Sequence, residues 1–552
     1  VTTKIFLARD VVTLDENCPR ANAVAVRDGR VLHVGELAWI LEVLRDAPYE
    51  IDESFADAVL VPGFIEAHGH LSGDGGLGRF TWVGFDDRYG PDGQLREGCR
   101  TIDAVIARLR EAAKETDGLV VGCGFDPTFL DGRGLRREDL DRVSLEQSVL
   151  VLNASLHLAY GNSARIRERG IDELGDEPGL QRDADGKATG EFHETAMLRL
   201  FDARDFFGGS DEVGLRNGAE LLRIAGVTTG SDLGILADGP NFALYREVVE
   251  DSAFPARVAY SPMASMMIPA LGADGFLGRL GELRDDASAN RFMLGPVKWI
   301  ADGSIQGFTG KLSWPGYCAG EDHGTLLLSQ EKLVEQLLPI HQAGLQVAIH
   351  ANGDEAIEVA LRAIAELQTI APRPDHRHRL EHCQMISPSQ LDRAASLEVA
   401  INFFTNHVYF WGDTHRTRTM GADKARRMNP MASALARGVK VSMHSDHPVT
   451  PVAPLFTMWC AVNRLTRSGH VLGELQRISP LEALRAVTLG AAQLIHRDHE
   501  LGSIEVGKFA DFTVLAANPL DVDPASIKDI AVLGTVVGGV PTTPAPSRKE
   551  TA

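Results

Sequence analysis

The sequence predicts an α/β protein built on a (β/α)8 TIM-like barrel, with a small β-sandwich formed from both chain ends and a large insertion after the first barrel strand. Three observations predict it. Eight short, β-rich apolar runs alternate with stretches of helical spacing. Both chain ends read as hairpins too small to fold alone. Several of the runs end in histidine or aspartate, and barrel enzymes carry their chemistry at such strand ends.

The first 60 residues read as short strands with turns. The segment 24–34 is apolar, turn, apolar, with Asp28-Gly29 at the bend, a strong hairpin signal. The last 50 residues look alike, so 1–60 and 500–552 are expected to meet in one split β-domain beside a barrel at 61–499. The eight runs are 61–68, 226–232, 257–261, 296–301, 345–350, 379–383, 399–404 and 440–446. Between some of them, 327–342 and 354–368 carry helical apolar spacing. A doubly wound sheet fits the same runs. About 150 residues separate the first run from the second, more than a barrel connection needs. That stretch has its own strand-like runs at 119–125 and 149–156 and a helix at 101–114. It is expected to be an insertion, about 75–225, over one end of the barrel. The tail at 541–552 is expected to fray.

Composition narrows the function. Lys and Arg total 55 against 76 Asp and Glu, a net charge of −21. That balance argues against a general nucleic-acid or anionic-membrane binder, because both need a basic face. The six cysteines are scattered without a C-x-x-C pair, which disfavours a thiolate zinc site or a disulfide framework and favours a reducing compartment. No stretch approaches the roughly 18 apolar residues of a membrane span, and the apolar run in residues 1–10 is too short for a signal-peptide core. A cytoplasmic protein acting on a small molecule is expected.

The first run ends Glu66-Ala67-His68-Gly69-His70. On an extended strand, residues two apart face the same way, so both imidazoles can reach one metal ion. With 18 histidines in the chain such a pair needs context, and a second one, His376-Arg377-His378, beside a proline-containing turn, is assigned to solvent. The context comes from other strands. His350 and His382 end successive runs, Asp446 ends the last, and Lys298 lies within the fourth. Each alone reads as a satisfied core group. Together they bring ligand-type groups to one barrel mouth, where a buried lysine is costly unless paired or chemically altered.

This constellation resembles the amidohydrolase superfamily, in particular its amidohydrolase-3 branch of YtcJ-like and N-substituted formamide deformylase-like proteins. The resemblance spans nearly the whole chain. It rests on Val61-Pro62-Gly63-Phe64-Ile65-Glu66-Ala67-His68-Gly69-His70, on Pro296-Val297-Lys298-Trp299-Ile300-Ala301-Asp302-Gly303-Ser304, on Ser445-Asp446-His447-Pro448-Val449, and on the tail motif at 501–512. Glu66 stands where the family usually has Asp. The resemblance implies a metal-dependent hydrolase. His68, His70 and Asp446 would hold one divalent ion and His350 and His382 a second, with Lys298 bridging them as a carbamate. If Lys298 stays an amine, one ion is expected. Zinc suits this imidazole and carboxylate set, and iron or manganese could take it. Asp446 is the candidate general base. Dimerisation is common among such enzymes, though no residue here carries it.

Further candidates face the substrate. His157 lies in a family-like His…Asn162-Ser163-Ala164 pattern. Glu194 and Asp302-Gly303-Ser304 are read as structural, and His444 and His447 as supporting groups around Asp446. Aromatic residues are scarce, so Phe404, His407 and Trp411 after the seventh run, and Phe308, Trp314 and Tyr317 after the fourth, read either as packing beneath the insertion or as an apolar pocket wall. The expected reaction is hydrolysis of an amide-type C–N bond, an N-formyl or N-acyl amine with an apolar or aryl substituent. A deaminase, a lactonase or another ester hydrolase on the same barrel is the alternative, and a non-catalytic regulatory relative is a third reading.

Overall fold

The computed structural model describes residues 2–130, 132–175, 177–202, 211–286, 290–318 and 323–542. Strands from both chain ends lie in one seven-stranded sheet. Its order is Val540–Pro541, Val532–Val537, Phe512–Leu515, Tyr49–Pro62, Thr3–Val12, Arg20–Arg27 and Arg30–Gly35. The hairpin at Asp28-Gly29 turns through two left-handed residues, φ 52° and 75°, as a tight two-residue connection between twisted strands requires. Phe6, Val24, Leu60, Phe512, Val514 and Val536 pack together inside this sheet, so neither end buries its apolar face alone. Most of the tail read as frayed, 543–552, lies outside the described residues.

The first apolar run is divided between two sheets. Tyr49–Pro62 ends in the seven-stranded sheet, and Phe64–Glu66 begins a parallel one. Gly63 makes the crossing: a β-carbon there would sit 2.0 Å from Thr228 Oγ1. The first parallel sheet has the order Phe64–Glu66, Val227–Ile235, Arg257–Pro262, Phe292–Leu294. The second runs Val297–Ile300, Val347–Ala351, Arg379–His382, Ala400–Phe403, Val441–Met443. An isolated parallel bridge between Met263 and Lys298 links the two.

Helices separate most of these strands. Gln330–Gln342 is capped by Ser329, and Pro388–Ser396 by a Ser387/Gln390 capping box, which satisfies first-turn N–H groups. Asp354–Ile370 turns Ile357, Leu361, Ile364 and Leu367 inward at helical spacing. One apolar cluster runs beneath both parallel sheets, from Phe64 and Val258 to Ile349, Ile401 and Val441. The two sheets therefore share a core. Strands without polar alternation fit parallel sheets covered on both faces.

Residues between the first two parallel strands supply a six-stranded mixed sheet, from Thr81–Trp82 and Val120–Phe125 to Ala188–His193 and Leu180–Arg182. The helix expected at 101–114 is Ile102–Glu115, capped by Thr101. All six cysteines are free. Among the described residues no helix is long and apolar enough to cross a membrane.

Candidate metal centre

The six ligand-type residues come together. His68, His70, Lys298, His350, His382 and Asp446 all line one cavity of about 480 Å³. His68 and His70 follow the Phe64–Glu66 strand. Gly69 between them lets the chain pass His447, whose Nε2 would be 2.1 Å from a β-carbon there, and the His70 amide donates to His447 O at 2.9 Å. On the second parallel sheet, Lys298 pairs with Ala348 and Ile300 with His350. Lys298 therefore sits two residues below the level of His350, on the same face.

Buried carboxylates orient this floor. His68 Nδ1 donates to Glu381 Oε2 at 2.7 Å, and Asn402 Nδ2 donates to the same oxygen at 2.9 Å. Arg379 Nε donates to Glu381 Oε1 at 2.5 Å. Burial alone would raise the Glu381 carboxyl, but Arg379 and His68 outweigh it and hold it well below the usual carboxylate range. Glu66 accepts from the Ser445 amide at 3.0 Å and the Ser445 hydroxyl at 2.7 Å, which ties the first parallel strand to the loop after the last one. Asp302, read as structural, accepts the amides of Asn352, Gly353 and Lys311 at 2.8–2.9 Å. Next to it, Gly303 O accepts from His350 Nε2 at 3.1 Å.

The donor set fits a divalent cation. One nitrogen each from His68 and His70 and a carboxylate oxygen of Asp446 lie within 4.8 Å of one another. Asp446 Oδ1 is 3.2 Å from His68 Nε2 and 3.3 Å from His70 Nε2, yet it is buried and makes no hydrogen bond among the described residues. A carboxylate oxygen facing two imidazole nitrogens in this way suits a cation between them. Burial holds His70, His350 and His382 below the ordinary histidine range, so they are neutral and competent as ligands. Burial would raise Asp446, but the surrounding imidazoles hold it well below the carboxylate range, so it is ionised. Burial also lowers Lys298 from 10.5 to about 8, close to the free amine that carbamate formation needs.

His157 and Glu194 also line the cavity, joined by a hydrogen bond of 2.9 Å from His157 Nδ1 to Glu194 Oε2. Glu194 therefore pairs with a cavity residue, beyond the structural role read from sequence. Burial lowers His157, but Glu194 outweighs it and the net shift is upward.

Three expectations are corrected. Phe404, His407 and Trp411 do not line the cavity. Phe404 stacks behind His382 and His444, and Trp411 donates to Asp126 at 2.7 Å. The apolar wall comes instead from Leu152, Leu156, Leu198, Phe201, Met263 and Leu327. Phe308 and Tyr317 pack in a separate cluster, and Trp314 is 85% exposed. Finally, His376 and His378 are fully buried rather than solvent-facing. His378 Nε2 bonds His341 Nδ1 at 2.8 Å, and His376 Nε2 donates to Leu397 O at 2.8 Å.

Parallel strands whose ends carry a histidine and carboxylate floor define an α/β fold of the amidohydrolase type. Residues 56–543 match the amidohydrolase family, and the chain belongs to that family, which makes it a hydrolase acting on carbon–nitrogen bonds. Among curated relatives, the protein LONG AFTER FAR-RED 3 of Arabidopsis thaliana is 27% identical over 96% of this chain and 89% of its own. N-substituted formamide deformylase of Arthrobacter pascens is 28% identical over 97% of both chains. Among solved structures, a metal-dependent hydrolase from Pyrococcus horikoshii superposes with a TM-score of 0.72 at 20% identity, over 95% of this chain and 99% of that one. At that identity it supports the fold alone.

Proposed function

We propose that this protein is a metal-dependent hydrolase that cleaves an N-formyl or N-acyl amine carrying an apolar or aryl substituent. The observation that carries the proposal is a cavity of about 480 Å³ with six ligand-type side chains at its floor and mainly apolar walls. The name of the Arthrobacter pascens relative points the same way. On this reading the two parallel sheets are halves of one (β/α)8 barrel whose fourth strand is broken into Phe292–Leu294 and Val297–Ile300, with the Met263–Lys298 bridge on one side and the His70–His447 hydrogen bond on the other. Residues 1–60 and 500–552 then form the split β-domain, and the insertion at about 75–225 caps the barrel mouth. Six free cysteines favour a cytoplasmic setting. The partner is a small molecule, and a homodimer is the proposed assembly.

His68, His70 and Asp446 would hold one divalent ion and His350 and His382 a second, with Lys298 as a carbamate between them. Zinc is the metal proposed, with iron and manganese also suited to these donors. A bound ion supplies Lewis-acid polarisation of a carbonyl and a water acidic enough to ionise near pH 7. The protein supplies the rest. Glu381 fixes the His68 tautomer by accepting from Nδ1, which leaves Nε2 for a ligand. Asp446 takes the proton of the attacking water and passes it to the leaving nitrogen. His157, held by Glu194, contacts the substrate, and the walls from Leu152 to Phe201 exclude bulk water. All six ligand positions carry competent groups, which favours catalysis over a regulatory role.

A turnover screen over formamides, acyl amides, lactones and aminated heterocycles tests the reading. Aryl formamides should show kcat/KM at least about tenfold above those of small polar amines, the scale of a methylene or two buried in an apolar pocket. Comparable turnover of aryl and polar formamides would remove the apolar-substituent assignment, and exclusive turnover of lactones or heterocycles would remove the amide assignment.

A further inference from the structure

One imidazole at the floor belongs to neither pair of ligands. His444 follows the Val441–Met443 strand and is 1% exposed. One nitrogen each of His68, His382 and His444 fall within 4.8 Å of one another. The three rings surround a common point, with centroids 4.6, 4.7 and 4.9 Å apart. His444 Nε2 lies 3.1 Å from His382 Nδ1, and His444 Nδ1 is buried without a hydrogen bond among the described residues. A buried imidazole usually has both nitrogens engaged.

The hydrogen bonds around the rings decide which lone pairs are free. His68 Nδ1 gives its proton to Glu381, so Nε2 is the only lone pair His68 can offer. His350 Nε2 lies 3.1 Å from both Gly303 O and Asn352 Nδ2; donating to the carbonyl, it would leave His350 Nδ1 as the acceptor for His382 Nε2 at 3.0 Å. A neutral His382 then has a bare Nδ1, 3.1 Å from His444 Nε2, and with the His444 proton on Nδ1 that Nε2 offers a lone pair as well. Bare nitrogens on His68 and His382, with His444 closing the triangle, make a three-imidazole arrangement of the type that binds zinc and copper well.

We propose that His444 is a metal ligand, forming with His68 and His382 a closed three-imidazole seat beneath the open seat of His68, His70 and Asp446. This rests on the metal-dependent reading of the same floor and adds a second place for the ion. Because both seats need His68 Nε2, one ion occupies one or the other. The open seat faces the cavity through His70 and Asp446, whereas His444 is absent from the cavity wall and has Phe404 packed behind it at 5.0 Å. The closed seat therefore meets the cavity only through His68 and His382, which line it, and not through His444. Its three neutral donors favour zinc or copper over manganese, which prefers the carboxylate of the open seat.

The test counts ligands and needs no substrate. Cobalt(II) is added at one equivalent to metal-free wild type, His70→Ala, His444→Phe and the double variant, and X-ray absorption gives the imidazole number while titration gives affinity. His70→Ala should still bind one ion with three imidazoles. His444→Phe should bind with no more than two, and the double variant should bind at least 100-fold more weakly than wild type. His444→Asn, which keeps a polar side chain of similar reach, should match His444→Phe if ligation is what was lost, and thermal unfolding of each variant checks the fold. If His70→Ala binds no ion while His444→Phe matches wild type in affinity and ligand number, His444 is only a support for His382 and the proposal falls. If wild type takes up no metal, this proposal and the metal-dependent reading fall together. If metal binds through His444 and no amide is turned over, the hydrolase reading alone falls.

Discussion

Asp446 and Lys298 both depart from their ordinary state. Asp446 is ionised and faces the imidazoles with one oxygen in no hydrogen bond. As the proton carrier it should be irreplaceable by its amide. Asp446→Asn should lower kcat by about 10²–10⁴-fold, the usual worth of a positioned acid–base group, while part of the metal is retained. Steady-state kinetics beside metal analysis checks this, and unchanged turnover would remove the role. Lys298 sits at the floor with its ammonium lowered from 10.5 to about 8. Between those values the native protein binds fewer protons than the unfolded chain. Burial of the lysine therefore costs about 3 kcal/mol in full below pH 8, and the cost fades as pH rises toward 10.5. Lys298→Met should raise the stability of metal-free protein at pH 7 by up to about that amount, flatten the rise in stability above pH 8, and lower metal content. Denaturant unfolding across pH, with metal analysis, reads all three. A stabler protein that binds less metal is the pattern expected of a functional residue held at a cost.

Strands and their ends carried most of what could be read from sequence. Each of the eight apolar runs contains a parallel strand, because continuous apolar, β-branched stretches between turn residues have few other uses. Placing His68, His350, His382 and Asp446 at those ends then brought them together without knowledge of any contact. The left-handed backbone at His382 and Asp446, φ 70° and 54°, was not readable. Histidine and aspartate visit that region more than most residues, but nothing in the local sequence marks these two positions for it, and such conformations tend to sit at functional sites where the surrounding structure enforces them. His376-Arg377-His378 was misread for a related reason. Its neighbours in sequence are turn and charged residues, but its neighbours in space are His341 and the 397 carbonyl. The His-Ser-Asp spacing of 444–446 repeats the two-residue step of His68 and His70, a signal that could have raised His444 from a supporting group. Contacts between elements were out of reach. Glu381 to His68 and Glu66 to Ser445 join residues more than 300 positions apart. The buried ion pair of Arg257 with Asp511, at 2.7 and 3.0 Å, joins the parallel strands to the sheet of the chain ends. Arg257→Ala should leave Asp511 buried and unpaired and cost about 3–5 kcal/mol. Urea unfolding should show that loss, with most of it recovered in Arg257→Met/Asp511→Leu.

At the scale of the whole molecule, residues between the first two parallel strands reach the site. Leu152, Leu156, Leu198 and Phe201, all from that stretch, line the cavity together with the histidines. The wall was misassigned to residues after the seventh run because a wall depends on how distant elements pack. Aromatic density in one loop reports only local composition. The net charge of −21 bears on none of this, since the chemistry rests on a few buried groups with paired charges. The central claim is that this floor holds a divalent ion and uses it to split an amide. Metal content measured before and after loading with zinc or manganese, beside turnover of an aryl formamide in the same samples, tests it most directly. One or two ions per chain are expected, with activity that rises with occupancy and is lost on chelation. A chain that binds no metal and turns over no formamide after loading would contradict it.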